Sequence, residues 1–316
     1  MKIPGNRHSR GVTMVELLVA MVIGIFLIGG AASIFIATKR SYTEVERSGR
    51  MIENARFALQ TLEMDLRHAG FYGEAAPPGI SLADGLDRTV TGDCSGRAEA
   101  YKVDDYISVA RVDASGKAVG CITDAVPGSD VIVIKGVRPH LVSGALDDEQ
   151  PYVMANAIQG LLFDGADTPP TKSVGGDVPG GNTWEYRFLV YYVRAGDVPR
   201  LSRKVLRWNG TRMGVVTEDI VDGVENLRVR VGTDGDDNGE VDRYRSADDA
   251  AIEWGRVMAM EVHMLVRSTD QDPAYTDKRS YDLAGTTVTP GGKFHRTVLD
   301  TAVSIRNPKL LIRGNI

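Results

Sequence analysis

The chain has 316 residues, 25% of them charged, with 37 basic against 42 acidic side chains and a net charge of −5. A mildly acidic chain without a basic stripe excludes nucleic-acid binding as a main function. Its length allows one large domain or two small ones with a proper core. The first residues form a basic leader, with Lys2, Arg7 and Arg10 and no acid before Gly11. Residues 12–37 then form an apolar run interrupted by one carboxylate, Glu16, beyond which Ser33 is the only side chain that hydrogen-bonds strongly. About 20 apolar residues suffice to cross a bilayer as a helix. A secretory signal differs, because its apolar region of about 7 to 15 residues ends at a small-residue cleavage site. Here the glycine precedes the run, so cleavage after Gly11 leaves the anchor on a mature chain with 34 basic and 42 acidic side chains, net −8. The leader charges keep the amino terminus cytoplasmic and send the remainder to the other side.

An acid in a membrane helix costs about 2.5 to 3.5 kcal/mol at the centre and less near an interface. A plain single-span anchor would let Glu16 snorkel to the headgroups. A second chain's ammonium would instead relieve the cost and bias the anchor towards side-by-side assembly. Residues 39–69 contain no proline, and Val45, Ile52, Ala55, Leu59, Leu62 and Leu66 recur at helical spacing, so the helix continues with an apolar stripe against a head until Gly70 ends it. Gly24 and the Gly29-Gly30 pair allow close helix approach or local loosening. Beyond Pro77-Pro78 the pattern changes to short strands at 106–110, 130–135, 186–193, 224–231, 257–267 and 297–305. Asn209-Gly210 between 204–208 and 211–216 predicts a two-residue hairpin turn. The interval 144–182, with Pro169-Pro170 and Gly175-Gly176, reads as loop. One helix followed by mostly antiparallel strands predicts an α+β head.

The leader, Gly11 and Glu16 together resemble the class III signal of type IV pilins and of type II secretion pseudopilins. The resemblance implies cleavage by a prepilin peptidase between Gly11 and Val12, methylation of the new Val12 amine, and pairing of Glu16 with the amine of a neighbouring subunit. Val12 stands where the family most often has phenylalanine. The string Arg67-His68-Ala69-Gly70-Phe71-Tyr72-Gly73, closing the helix, and the stretch from Phe294-His295-Arg296-Thr297 to Ile305-Arg306-Asn307 are similar to PilW-type minor pilins. This implies a type IV pilin-like fold: leader 1–11, transmembrane half of a long helix 12–38, amphipathic half 39–70, and a β-rich head 71–316. It further implies an inner-membrane subunit with a periplasmic head that primes pilus assembly, then stands at or near the pilus tip. The partners so implied are the major pilin, other minor pilins and a tip adhesin.

Two cysteines in the exported part, Cys94 and Cys121, suggest a disulfide worth about 3 kcal/mol, with two buried thiols as the alternative. The segment 234–242 carries the candidate calcium ligands Asp234, Asp236, Asn238, Glu240 (through its carbonyl) and Asp242, with Gly239 at the sharp turn. The twelfth position of that count is Arg245 rather than a bidentate glutamate, so the site needs another acid, Asp248 or Asp249. An Asx-rich turn between strands is the competing explanation. His8, His68, His140, His263 and His295 are scattered, and no zinc, nucleophile-elbow or phosphate-loop motif is present, so an enzyme is not expected and no cofactor is required. Trp184, Trp208 and Trp254 read as core or interface residues. Two other readings remain open: a minor pseudopilin of type II secretion, and a membrane-tethered calcium-dependent adhesin that never polymerises.

Overall fold

The computed structural model describes residues 11–305. Helix α1 runs over Met14–Arg67. The chain divides into two compact units, Met1–Arg50 and Met51–Ile316, with the boundary inside α1. The final turns of the helix therefore belong with the head, whereas the sequence suggested a head beginning at residue 71.

In the first unit α1 is long and apolar enough to cross a membrane, and none of its most apolar stretch is buried. In the second unit Met51, Ala55, Ala58, Leu59, Leu62 and Leu66 are buried at three- and four-residue spacing. Two residues expected in this stripe lie outside it: Val45 is 69% exposed and Ile52 39%. Ile52 follows Met51 by one residue, a turn of about 100° around the helix.

The helix ends through close backbone contacts with the head. Gly70 has φ +70, and a β-carbon there would lie 2.6 Å from the Tyr106 ring. Its N–H donates to the Lys135 carbonyl at 2.9 Å, and the Val137 N–H donates to the Phe71 carbonyl at 2.7 Å. The segment after α1 is thus bonded to the strand it crosses. Gly136 sits between these contacts, and a β-carbon there would stand 2.9 Å from the Phe71 carbonyl oxygen.

The head contains fourteen described strands. These are β1 Ile80–Leu82, β2 Ile107–Arg111, β3 Asp130–Leu141, β4 Pro151–Ala155, β5 Gly160–Asp164, β6 Asn182–Arg194 and β7 Arg200–Trp208, followed by β8 Met213–Asp222, β9 Val224–Thr233, β10 Arg243–Ser246, β11 Val257–Arg267, β12 Tyr281–Leu283, β13 Thr286–Val288 and β14 Arg296–Ser304. The larger sheet has the order β1-β5-β4-β6-β3-β2, with β7 joining β6 and β8. β3 takes one edge of β6, while β4 and β7 divide the other: β4 pairs with residues 182–185 and β7 with 189–194. The second sheet is β10-β9-β11-β14, all antiparallel, and β12-β13 is a separate hairpin. Among the described residues, the only parallel pairing between strands is β1 with β5. Residues from α1 and from both larger sheets share one core, including Leu62, Val133, Val190, Val229 and Met260. A long apolar amino-terminal helix followed by antiparallel-rich sheets is an α+β, pilin-like layout.

Two expectations are corrected here. The interval 144–182 contains the β4-β5 hairpin, whose residues are almost all buried. The hairpin turn after β7 is centred on Gly210-Thr211 rather than Asn209-Gly210, because the Asn209 N–H donates to the Arg212 carbonyl at 3.0 Å. Asn209 instead uses its side-chain carbonyl to accept the N–H groups of Thr211 and Arg212, each at 3.1 Å.

Candidate functional site

The start of α1 is built by Thr13 and Glu16. The Thr13 N–H and hydroxyl each donate to Glu16 Oε2 at 2.9 Å, and the Glu16 N–H donates to Thr13 Oγ1 at 3.2 Å. This reciprocal pair is a capping box, which satisfies donors that a helix start leaves open. Thr13-Met14-Val15-Glu16 carries the spacing of this box in the sequence itself. Gly11 and Val12 lie in exposed, non-helical backbone ahead of the helix. Glu16 therefore heads an apolar surface whose large side chains, including Met14, Leu18, Ile25 and Phe26, are exposed.

The second cluster lies in the loop between β9 and β10. Asp234, Asp236 and Asp242 each bring a carboxylate oxygen to within 4.8 Å of the others. Asp234 is completely buried. Its Oδ2 accepts the Gly239 N–H at 2.7 Å, while its Oδ1 has no hydrogen-bond partner. Asp242 Oδ2 accepts the Gly235 N–H at 2.6 Å, and the Asp242 N–H donates to the Thr233 carbonyl at 3.0 Å. Left-handed backbone at Asp237, φ +59, and Gly239, φ +86, folds the loop back on itself. Asn238 lies beside Asp236, its Nδ2 donating to Asp236 Oδ2 at 3.1 Å and its Oδ1 accepting the Glu240 N–H at 2.7 Å. Glu240 is exposed, and its carboxylate is not among the converging groups.

Neither acid expected to complete this loop reaches it, because each is held by an arginine. Arg245 pairs with Asp249 at 2.9 Å and Arg111 with Asp248 at 3.3 Å. Arg256 braces the loop from outside, donating to the Gly235 carbonyl at 2.7 Å and pairing with Asp237 at 2.9 Å.

Other reactive side chains have structural surroundings. Cys94 and Cys121 are joined as a disulfide with Cα atoms 4.5 Å apart. Lys135 is wholly buried, and its Nζ donates to the carbonyls of Arg97 and Lys102 at 2.8 Å each, tying a long loop to β3. Burial pushes its ammonium pKa down to about 7. His68 Nδ1 lies 2.8 Å from the Met64 carbonyl, and His295 stacks on Tyr275 with its Nε2 3.1 Å from Asp272. His263 lies on β11, and its Nε2 has no hydrogen-bond partner among the described residues. Trp184 is buried on β6, and its ring lies where a β-carbon on Gly73 would be, 2.4 Å away.

Residues 190–307 match the family model of the type IV pilus-assembly protein W, and residues 6–32 match that of the prokaryotic N-terminal methylation motif. No curated protein and no solved structure matches the chain. The first match covers the strands from the end of β6 through β14, including the acidic loop. The second covers the end of the leader, the glycine, Glu16 and most of the apolar run. Residues 6–10 of the second match and 306–307 of the first lie outside the described residues. A pilus-assembly W region behind a prepilin-type methylation motif makes this chain similar to the PilW-type minor pilins of the type IV pilus.

Proposed function

We propose that the protein is a non-enzymatic subunit that primes type IV pilus assembly and stays at or near the filament tip. The observation that carries this reading is Glu16, a carboxylate at the head of an exposed apolar helix, four residues from the Val12 amine that cleavage after Gly11 would create. Within one chain Glu16 caps its own helix through Thr13. In a bundle it would also face a neighbouring subunit's methylated Val12 amine, and the low-dielectric surroundings make that pairing far stronger than in water. Register between subunits then follows from a single ion pair, while the apolar face supplies packing.

The head suits a capping subunit better than a repeating one, because its size would crowd a closely stacked filament. Prepilin peptidase would act on the exposed Gly11-Val12 bond, and major and minor pilins would be the assembly partners. The pilus-assembly W match favours a pilus over the related secretion machinery. Deletion of the gene with complementation by wild type and Glu16→Ala, scored for surface pili, twitching and exoprotein secretion, tests this. Lost pili rescued only by wild type are expected. Normal piliation in the deletion overturns the reading, with failed secretion instead indicating a pseudopilin and neither defect a tethered adhesin.

A further inference from the structure

We infer that the loop between β9 and β10 is a calcium site of the head, with Asp234, Asp236 and Asp242 as its carboxylate ligands. Three carboxylates converge within 4.8 Å, and among the described residues no ion pair with a basic side chain is formed by Asp234, Asp236 or Asp242. Arg256 lies near, yet it is engaged by Asp237 and the Gly235 carbonyl. An Asx-rich turn accounts for the bonds around Asp236 and Asn238. The backbone N–H groups of residues 236–239 also turn towards the Asp234 carboxylate, with Gly239 bonded to Oδ2, yet Oδ1 is shut off from solvent and takes no hydrogen bond of ordinary geometry. A buried acceptor with no partner is unfavourable, and a cation at the centre of the cluster removes that cost for Asp234 while offsetting the repulsion among the three carboxylates.

The donor chemistry selects the ion. Every candidate ligand is oxygen, and no histidine or cysteine joins the cluster, so a hard cation is favoured over zinc or copper. Ligands on opposite sides of calcium stand about 4.6 to 5.2 Å apart, and adjacent ones less, which fits the observed spread. Magnesium needs a cluster drawn in to about 4.2 Å at most and a near-ideal octahedron. Asn238 stands next to Asp236 and can turn its amide oxygen inward, and solvent completes the shell. Without a bidentate acid at the twelfth position the affinity belongs with extracellular modules, about 10⁻⁴ to 10⁻³ M. The ion would join Asp234, directly after β9, to Asp242, directly before β10, and so clamp the short edge strand β10 onto the sheet.

The test uses the full chain in mild detergent, stripped with chelator and titrated calorimetrically with calcium chloride up to about 10 mM, with magnesium chloride in parallel. The same samples are followed by thermal unfolding and by limited proteolysis of residues 235–241. One calcium per chain, a raised melting temperature and protection of the loop are expected, with magnesium at least about tenfold weaker. Asp236→Asn and Asp242→Asn change exposed side chains and should leave the fold intact while weakening calcium about tenfold or more; Asp234→Asn should do the same and is checked for folding by circular dichroism. No heat and no shift in melting temperature at 10 mM calcium overturns the inference. So does unchanged calcium binding in the folded Asp236→Asn and Asp242→Asn variants. The outcome is independent of piliation, since a pilin without calcium and a calcium-binding tethered protein are both readable results.

Discussion

Asp65 of α1 and Arg187 of β6, 122 residues apart in the chain, meet at 2.9 Å where the helix crosses the larger sheet. The same carboxylate accepts the Tyr191 hydroxyl at 2.5 Å and stands 3.7 Å from Arg203. Asp65 is buried within an otherwise apolar helix face, so its charge is tolerable only with these partners. Removing one partner of such a group leaves the other desolvated and unpaired. Asp65→Ala should therefore destabilise the head by about 3 kcal/mol, the low end for a buried pair because Arg187 is partly exposed. Urea unfolding of the full chain in detergent measures this. The Asp65→Ala/Arg187→Ala double variant should lose less than the sum of the single changes, and strict additivity would show that the pair does not couple the helix to the sheet.

The long helix and eight of the fourteen described strands were legible in the sequence because each depends on local pattern. The β4-β5 hairpin was not. Pro151–Ala155 is buried throughout and Gly160–Asp164 nearly so, which removes the alternation that marks a half-exposed strand. Gly70 was legible as the end of the helix, whereas the string around Arg296 was visible only as resemblance, and the structure supplies the physical reason for each. Gly70 fits under the Tyr106 ring, and Arg296 ties β14 to Glu225 at the start of β9 and to Asp277. In the acidic loop, sequence spacing identified the three converging aspartates but failed for Asp248 and Asp249. Asp248 is taken by Arg111, a partner 137 residues away that only tertiary folding supplies, and Asp249 by Arg245 four residues before it.

The Cys94–Cys121 bond spans 27 residues and closes the loop that Lys135 anchors through the Arg97 and Lys102 carbonyls. A closed loop of this length reduces the entropy of the unfolded chain by an amount equivalent to about 3.5 kcal/mol. Replacing both cysteines with serine should lower stability by about that amount, while leaving α1 and its insertion unchanged. Unfolding in detergent with and without reductant gives the measurement. If wild type lost nothing on reduction, the bond would be dispensable for the head.

Asp277 lies at the centre of a buried polar cluster joining the β12-β13 hairpin to β14. Its Oδ2 accepts the Arg296 guanidinium at 2.9 Å and the Tyr281 hydroxyl at 2.8 Å, and its Oδ1 accepts the Arg279 N–H at 3.1 Å. Burial alone would push this carboxyl up, but the hydrogen bonds from Tyr281, Arg296 and Arg279 outweigh it and hold Asp277 well below the usual carboxylate range. The unfolded chain therefore takes up the proton at higher pH than the folded one. The resulting stabilisation is complete above the unfolded value of about 3.9 and is lost as pH falls towards the folded value. Melting temperature should accordingly drop between about pH 5 and pH 2, with part of the drop due to this residue. Asp277→Asn keeps the size of the side chain but removes the charge that Arg296 faces. It should be less stable than wild type at pH 7 and should lose less on acidification, so that the two curves converge near pH 2. Parallel curves across that range would mean that Asp277 does not contribute to the acid sensitivity of the head.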